Sequence, residues 1–527
     1  MIKIKSILWL MVAAIAGGLT IASCSSSDSS PVVIPPRDNT PVDYTIMFYS
    51  AGGENLDYQT ELDLMRAAKA LQTSDKQVRF IVQYKYSTED GLKTNYPDNT
   101  HPCGYAGGLY RFELLPSQIQ QNGELGYFSD NLLYGNQQSK SELFRSDSIT
   151  SFINYCQRVA PAKNYILILS DHGSGYLVND DYPKTRSIVS DKFHEGKFYK
   201  NEVPAISIYD IRDGIRNSNL KHVKMINFDA CLMNTIEVIS ELTEVTDYVM
   251  ASSFTTSGGD YMEFVNHLRG VYDDAAFENK MRDYLNKTIQ DIYNPKTEDD
   301  NNAKYLPPSD PQNKRCDWVL TNTAKFKAAV IPAMIAFTTK LINQDVNNFD
   351  DSGLKDAAIK CYHPDATSPL YDIGQYATLL AKANNSLNAE ATALKTAIGQ
   401  AQVCHYYTNP VLKDFEDLNL DYKSLSYTIN LGATVKDDQG NYKTLLRILA
   451  PDDAGTKVSC NESNGYSYNY IFATGTCELD TQEECDVYTK WDNTYRTTAF
   501  DRATRWSKWI EKNPYFPTGN PPFTKCK

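Results

Sequence analysis

Between residues 42 and 270, short apolar runs alternate with stretches whose apolar positions recur every three or four residues. This is the mark of strands and amphipathic helices taking turns. The run "YTIMFYSA" (44–51) predicts a buried strand and "LDYQTELDLMRAAKAL" (56–71) a helix. "VRFIVQYKY" (78–86) is a second strand, and "GGLYRFELL" reads as part of a hairpin within the Gly/Tyr-rich stretch 87–137. "SDSITSFINYCQRV" (146–159) follows as a helix with Ser146 as its cap. "YILILSDHGSGY" (165–176) is a third strand ending in a glycine-containing loop. A helix (207–218), a strand "VKMINFDA" (223–230), a helix (235–244) and a strand "DYVMASSF" (247–254) complete the series. Apolar strands separated by helices predict an α/β fold, with a mostly parallel sheet covered on both faces.

Past residue 270 the rhythm changes. Residues 275–300 and 320–400 carry a helical pattern, and from about 423 the chain turns to alternating strands, "SLSYTINLGATV" and "YKTLLRILA". A helix, "TAFDRATRWSKWIEK", precedes a Pro-rich tail. The expected organisation is a core over 42–270, a mostly helical extension over 271–422 and a β-containing C-terminal region over 423–527. The last two make a mixed α+β extension. No repeat of 20–50 residues is visible.

The N-terminus stands apart from this pattern. Lys3 and Lys5, an apolar stretch from Ile7 and the small residues before Cys24 make residues 1–23 a secretory signal, too short to span a membrane. The ending "IASC" resembles a bacterial lipobox, which would make Cys24 the lipidated first residue of the mature chain. Residues 24–41 are a Ser/Pro-rich tether that could hold a folded body off a membrane. Ser25 carries no inner-membrane retention signal, so the outer membrane or cell surface is the expected location. No other segment reads as long and apolar enough to span.

The net charge of −13 becomes −15 when Lys3 and Lys5 leave with the signal, which argues against nucleic acid as a partner. It suits an exported protein that attracts cationic substrates. None of the eleven cysteines forms a CxxC pair or a Cys/His cluster with zinc spacing, so no metal ligands are assigned. Cys460, Cys477 and Cys485 lie close together in an exported chain and are candidates for disulfide bonding.

Chemistry gathers where two strands end. In an open α/β sheet functional residues collect at the carboxyl ends of the strands. One run ends at His172-Gly173, the other at Cys231, and consecutive strands are commonly neighbours. An imidazole beside a thiol can activate it for attack on an acyl carbon and then protonate the leaving amine. The N–H groups of Gly173 and Cys231 are the natural oxyanion donors. Asp229, two residues before Cys231, points to the same side of its strand. It would hinder thiolate formation, which makes receipt of a substrate cation a better use for it; capping of the next helix is the alternative.

"ILILSDHGSGY" followed by "MINFDACLMNTIEV" resembles the clostripain-like cysteine peptidases, relatives of caspases, gingipains and legumain. The shared pattern falls on His172, Gly173, Gly175, Tyr176, Asp229, Cys231, Leu232, Met233 and Glu237. "TIMFYSAGGENLDYQTELDLM" and "YDIGQYATLL" also resemble family segments. The resemblance covers 42–270, extends loosely to 400 and does not reach the last hundred residues. It implies a caspase-like sheet, a His172–Cys231 dyad working through a thioester, and Asp229 in a pocket for Lys or Arg at P1. It further implies self-cleavage in the loop 177–205, at Arg186 or at Lys184. No cofactor is required; some relatives depend on calcium, for which the acidic loops "DDYP" and "EDDNN" are candidates without EF-hand spacing.

The chain departs from the family in two places. Ser253 stands where relatives have Glu, and Asn234 where they have a small residue. Two other readings compete with a peptidase. An anchored chain with 36 tyrosines has the composition of a glycan-capturing surface lipoprotein, though it lacks their helical repeats. An inactive peptidase homologue, altered at the loop 252–261, is the other.

Overall fold

The computed structural model describes residues 40–52, 56–72, 76–87, 109–116, 132–136, 145–178, 185–190, 193–194, 197–198, 205–256, 258–290, 315–350, 353–354, 357, 361–362, 364, 370–417, 426–430, 434–436, 442–444 and 495–512. In chain order the first strands are β1 (Val42–Ala51), β2 (Val78–Lys85), β3 (Leu109–Glu113), β4 (Leu132–Asn136) and β5 (Ala162–Ser170). Then come β6 (Gly173–Val178), β7 (Thr185–Ser190), the two-residue strands β8 (Phe193–His194), β9 (Lys197–Phe198) and β10 (Ala205–Ile206), and β11 (Val223–Asp229). The last to concern the site are β12 (Thr246–Ala251), β13 (Asp317–Asn322), β14 (Leu370–Asp372), β15 (Gln402–Tyr407) and β16 (Thr428–Asn430).

Nine of these strands form one sheet, in the order β15-β13-β12-β11-β5-β1-β2-β3-β4. The central five, β12 to β2, run parallel, and each edge adds two antiparallel strands. Alternation along the central strands feeds two cores. Met47, Tyr49 and Ala51 face one side of β1, and Tyr44, Ile46 and Phe48 the other. The first side is covered by α2 (Ser146–Val159), α3 (Ile208–Asn217) and α4 (Ile236–Leu242), through Phe152, Ile211 and Ile239. The second is covered by α1 (Asp57–Ala70), α5 (Tyr261–Leu268) and α6 (Asp274–Thr288), through Leu64, Phe264 and Met281. Each such side chain removed from water contributes about 1.5–3 kcal/mol.

The structure corrects several sequence expectations. The strand expected to end at His172-Gly173 ends at Ser170, and the glycine-containing loop after it opens β6, which belongs to a separate three-stranded sheet, β10-β7-β6. His172 falls in the break. The helical pattern over 320–400 concealed β13, which pairs with β12, while β15 lies just beyond that stretch. The sheet therefore continues past residue 270. Ser146 is the first helical residue of α2 rather than its cap; the cap position is Arg145, with no side-chain hydrogen bond.

Among the described residues one helical run, Thr323–Asn343, is apolar and long enough to cross a membrane by length and composition. Its Met334, Phe337 and Leu341 are nevertheless buried in the first core. Near the C-terminus, Phe500, Trp506 and Trp509 pack into that same core. Trp509 donates its indole N–H to the hydroxyl of Tyr376 at 3.2 Å.

Candidate active site

β5 and β11 are hydrogen-bonded parallel neighbours, with Ser170 directly opposite Asp229. His172 and Cys231 each lie two residues beyond that pair, at the carboxyl ends of adjacent strands near the middle of the sheet. Asp171 donates its N–H to the Asp229 carbonyl at 3.4 Å and receives the His172 N–H on its side chain, so the two strand ends are stitched where they leave the sheet. His172 is exposed and Cys231 half-buried.

The contact between the two loops is close. A Cβ placed on Gly173 would lie 2.3 Å from the Cys231 carbonyl oxygen and 2.9 Å from its nitrogen. Gly175, with φ of +64°, brings its backbone near Leu232 and Thr235: a Cβ there would meet the Leu232 oxygen at 2.7 Å and the Thr235 methyl at 3.0 Å. The glycines of "HGSG" therefore let the histidine loop rest on the cysteine loop. Leu232, the residue after the thiol, has φ of 63°, a left-handed turn unusual for a branched side chain. That turn stands Cys231 off the strand end, and the Leu232 N–H closes it on the Phe254 carbonyl at 2.9 Å. The Cys231 Sγ lies 3.9 Å from the Thr256 carbonyl, so the 252–256 loop forms a further wall.

That loop is anchored from below. Asp317 is fully buried and accepts from Ser252 Oγ at 2.9 Å, from Ser253 N–H at 2.6 Å and from His405 Nε2 at 2.7 Å. Ser253, which stands where relatives have Glu, thus faces inward. Its hydroxyl accepts from the Asn234 amide at 2.9 Å, and the same amide donates to the Ser426 carbonyl at 3.3 Å. The Asn234 backbone bonds both Ser252 and Thr428. Both departures from the family pattern therefore belong to one internal tie between the pocket loop and the segment at 426–430. Glu237, the last residue of the motif, is also internal: it accepts from the Tyr495 hydroxyl at 2.9 Å.

Asp229 does not cap the following helix. α4 is capped by Thr235, whose side chain accepts from the Val238 N–H. The Asp229 carboxylate turns instead toward the face covered by α1 and α5, as its parity with Met225 requires. Its Oδ2 accepts from the Tyr261 hydroxyl at 2.5 Å and from Ser170 Oγ at 3.2 Å. Its Oδ1 is buried with no hydrogen-bond donor among the described residues. Burial raises the Asp229 pKa above the ordinary carboxylate range, and the two hydroxyl donors oppose that shift.

A second carboxylate, absent from the sequence reading, stands nearby. Asp63 on α1 is buried, with both oxygens 3.3 Å from the Gln59 amide nitrogen. Burial and then the charge of Asp229 hold its pKa well above the usual value, with Arg66 acting in the other direction. The sequence alone carried no signal for it, because packing decides which face of α1 is buried. The face Asp57, Thr60, Asp63 and Ala67 is the buried one, yet it puts two carboxylates where a surface helix would carry apolar residues.

Of the remaining candidates, Arg186 lies in β7 opposite Leu177. Lys184, Cys24, the acidic loops "DDYP" and "EDDNN", Cys460, Cys477 and Cys485 lie outside the described residues. Cys156, Cys316, Cys361 and Cys404 are not disulfide-bonded and are at least partly buried, and burial pushes the Cys404 thiol up to about 12. Among the described residues no group of three His, Cys, Asp or Glu is placed to hold a metal ion.

A family model described as the clostripain family matches residues 132–512. No curated protein matches the sequence. Among solved structures, one of a secreted C11 cysteine protease from Bacteroides thetaiotaomicron, in complex with an irreversible peptide inhibitor, has a TM-score of 0.50. It is 14% identical over 88% of this chain and 99% of that one. A secreted C11 cysteine protease of the same organism, "iotapain", has a TM-score of 0.46 at 17% identity, over 70% of this chain and 87% of its own. An inactive zymogen C11 protease from Parabacteroides distasonis has a TM-score of 0.47 at 14% identity, over 88% and 99%.

Proposed function

The chain belongs to the clostripain family of cysteine peptidases, and from that premise we propose that it is an endopeptidase that cleaves after Lys or Arg. Cys231 is the nucleophile and His172 its base and acid. The thiol gives its proton to the imidazole, and the thiolate adds to the scissile carbonyl. The oxyanion is received by the N–H groups of Gly173 and Cys231. Collapse of the adduct expels the amine, which takes the proton from His172, and leaves a thioester that water hydrolyses. The observation that carries this reading is the contact of Gly173 with the Cys231 backbone: it sets the histidine loop directly on the cysteine loop. The basic P1 preference is supported by the buried Asp229 oxygen that has no donor, since an acceptor in that state favours a guest bringing its own hydrogens and positive charge.

Self-cleavage after Arg186 is part of the same proposal. Val189, three residues further along, is buried with φ of 54°, a conformation that costs a β-branched residue on the order of 1–3 kcal/mol. Cutting the chain beside it would let that strain relax. Export and lipid attachment at Cys24 rest on the sequence of the leader and tether, and two of the structural neighbours are described as secreted.

The test is covalent labelling. A peptide with Arg at P1 and an acyloxymethyl ketone in place of the scissile bond should modify the protein at Cys231, as read by peptide mass mapping. Prior alkylation of the thiol or the change His172→Ala should suppress it. Labelling elsewhere, or none from the Arg or the Lys reagent, would contradict the proposal.

A further inference from the structure

We infer that Asp63 is a second specificity-determining residue, so that the P1 cation is held between α1 and β11 rather than by Asp229 alone. The inference rests on the basic-P1 reading above and adds the group that completes the pocket.

Asp63, Asp229, Asp260 and Arg66 are all buried, none more than 6% exposed, behind the loop that walls Cys231. Arg66 is committed to Asp260 at 2.6 Å, and Asp260 in turn caps α5 by accepting from the N–H groups of Met262 and Glu263. Among the described residues Arg66 is the one cation beside three carboxylates, and its ion pair is with Asp260 rather than with Asp63 or Asp229. Buried charge of one sign without a counter-charge is costly. It persists in functional sites that a cation completes.

The two carboxylates converge on one place. Gly258, with φ of +94°, passes them so closely that a Cβ on it would lie 3.3 Å from Asp229 Oδ1 and 3.4 Å from Asp63 Oδ2. The Asp229 oxygen that points there is the one with no donor among the described residues. Asn227 Oδ1, two residues earlier on the same face of β11, is a second buried acceptor without one. A guest satisfying these atoms has to bring several N–H donors and positive charge, and a guanidinium or ammonium does both. Among the described residues, Gln59 and Arg66 from its own helix, Asp229 from β11 and Asp260 from the cap of α5 act on Asp63, and Tyr261 from α5 is bonded to Asp229.

The experiment compares the full chain with Asp63→Asn on three peptides that differ only at P1: Arg, Lys, and citrulline as the neutral isostere of Arg. Removing one partner of a buried charge pair should lower kcat/KM for Arg and Lys by about 30-fold or more. The citrulline peptide should change by less than about threefold. The difference between the acidic limbs of kcat/KM against pH for the basic peptides and for the citrulline peptide should also change in the variant. Equal loss on all three peptides would make Asp63 merely structural and overturn the inference, as would retention of the wild-type preference.

Should Asp63→Asn not fold, Asp63→Glu keeps the charge and displaces it by one methylene. A changed ratio of basic to citrulline rates then supports the inference, and an unchanged ratio overturns it. Failure of the wild type to cleave any of the three peptides would overturn the peptidase reading and this inference together. Retained basic preference in Asp63→Asn overturns the inference alone.

Discussion

The backbone of Gly173 rests against that of Cys231 so closely that a methyl group on the glycine would lie 2.3 Å from the cysteine carbonyl oxygen. No side chain fits there without separating the two loops. Gly173→Ala should therefore displace His172 from Cys231. A misplacement of about 1 Å in a catalytic pair costs about 100-fold in rate, and overpacking costs about 1–3 kcal/mol of stability. Peptide hydrolysis and denaturant melts of the variant check both effects; near-wild-type turnover would show that the loops are not held as described.

His172 and Cys231 should fail as a unit. Each alanine variant is expected to lose at least ~10⁴-fold in kcat, with the double variant little worse than either single one. His172 is exposed, so His172→Ala should leave thermal stability nearly unchanged. Single-turnover kinetics and melting curves of the three variants distinguish this from two independent contributions.

Stability should depend on pH through the buried carboxyl groups. The native-state pKa values of Asp229 and Asp63 are raised by burial, so between the ordinary carboxylate pKa and their raised values the folded chain holds protons that the unfolded chain has released. In that window stability falls as pH rises, and above it the loss is complete. Asp229→Asn should make the fall shallower without abolishing it, because Asp63 contributes in the same direction. Thermal melts of the ligand-free protein across the acid-to-neutral range provide the check.

The last described helices should matter to the helix behind the nucleophile. Tyr495 donates to the buried Glu237, and the Ala499 N–H donates to Glu241 on the same helix, which also pairs with Arg212 at 2.6 Å. Tyr495→Phe takes one donor from a buried carboxylate and should cost about 1–3 kcal/mol. The loss should appear in denaturant midpoints with the slope unchanged.

Much of this arrangement is legible in the sequence. The runs around Ile46, Leu167 and Ile226 are continuously apolar because both faces of a central parallel strand are covered, and they place His172 and Cys231 at strand ends from pattern alone. β13 and β15 were hidden for opposite reasons. "DWVLTN" is only six residues long and runs straight into a helix, while "QVCHYY" is half-buried throughout and shows no alternation. The surroundings of Asp229 could not be read along the chain, since Tyr261, Ser170 and Asp63 reach it from three other elements. Asp63 itself looks like an ordinary polar helix position until α1 is packed with that face inward.

The central claim, a Cys231-dependent endopeptidase with basic P1 specificity, is tested most directly by hydrolysis of fluorogenic peptides carrying Arg, Lys or a neutral residue at P1. Wild type and Cys231→Ala are compared, each before and after trypsin nicking of the 177–205 loop. The account predicts cleavage after Arg or Lys by the wild type, little after the neutral residue, and none by Cys231→Ala. Absence of hydrolysis by the nicked wild type, or equal hydrolysis by Cys231→Ala, would contradict it.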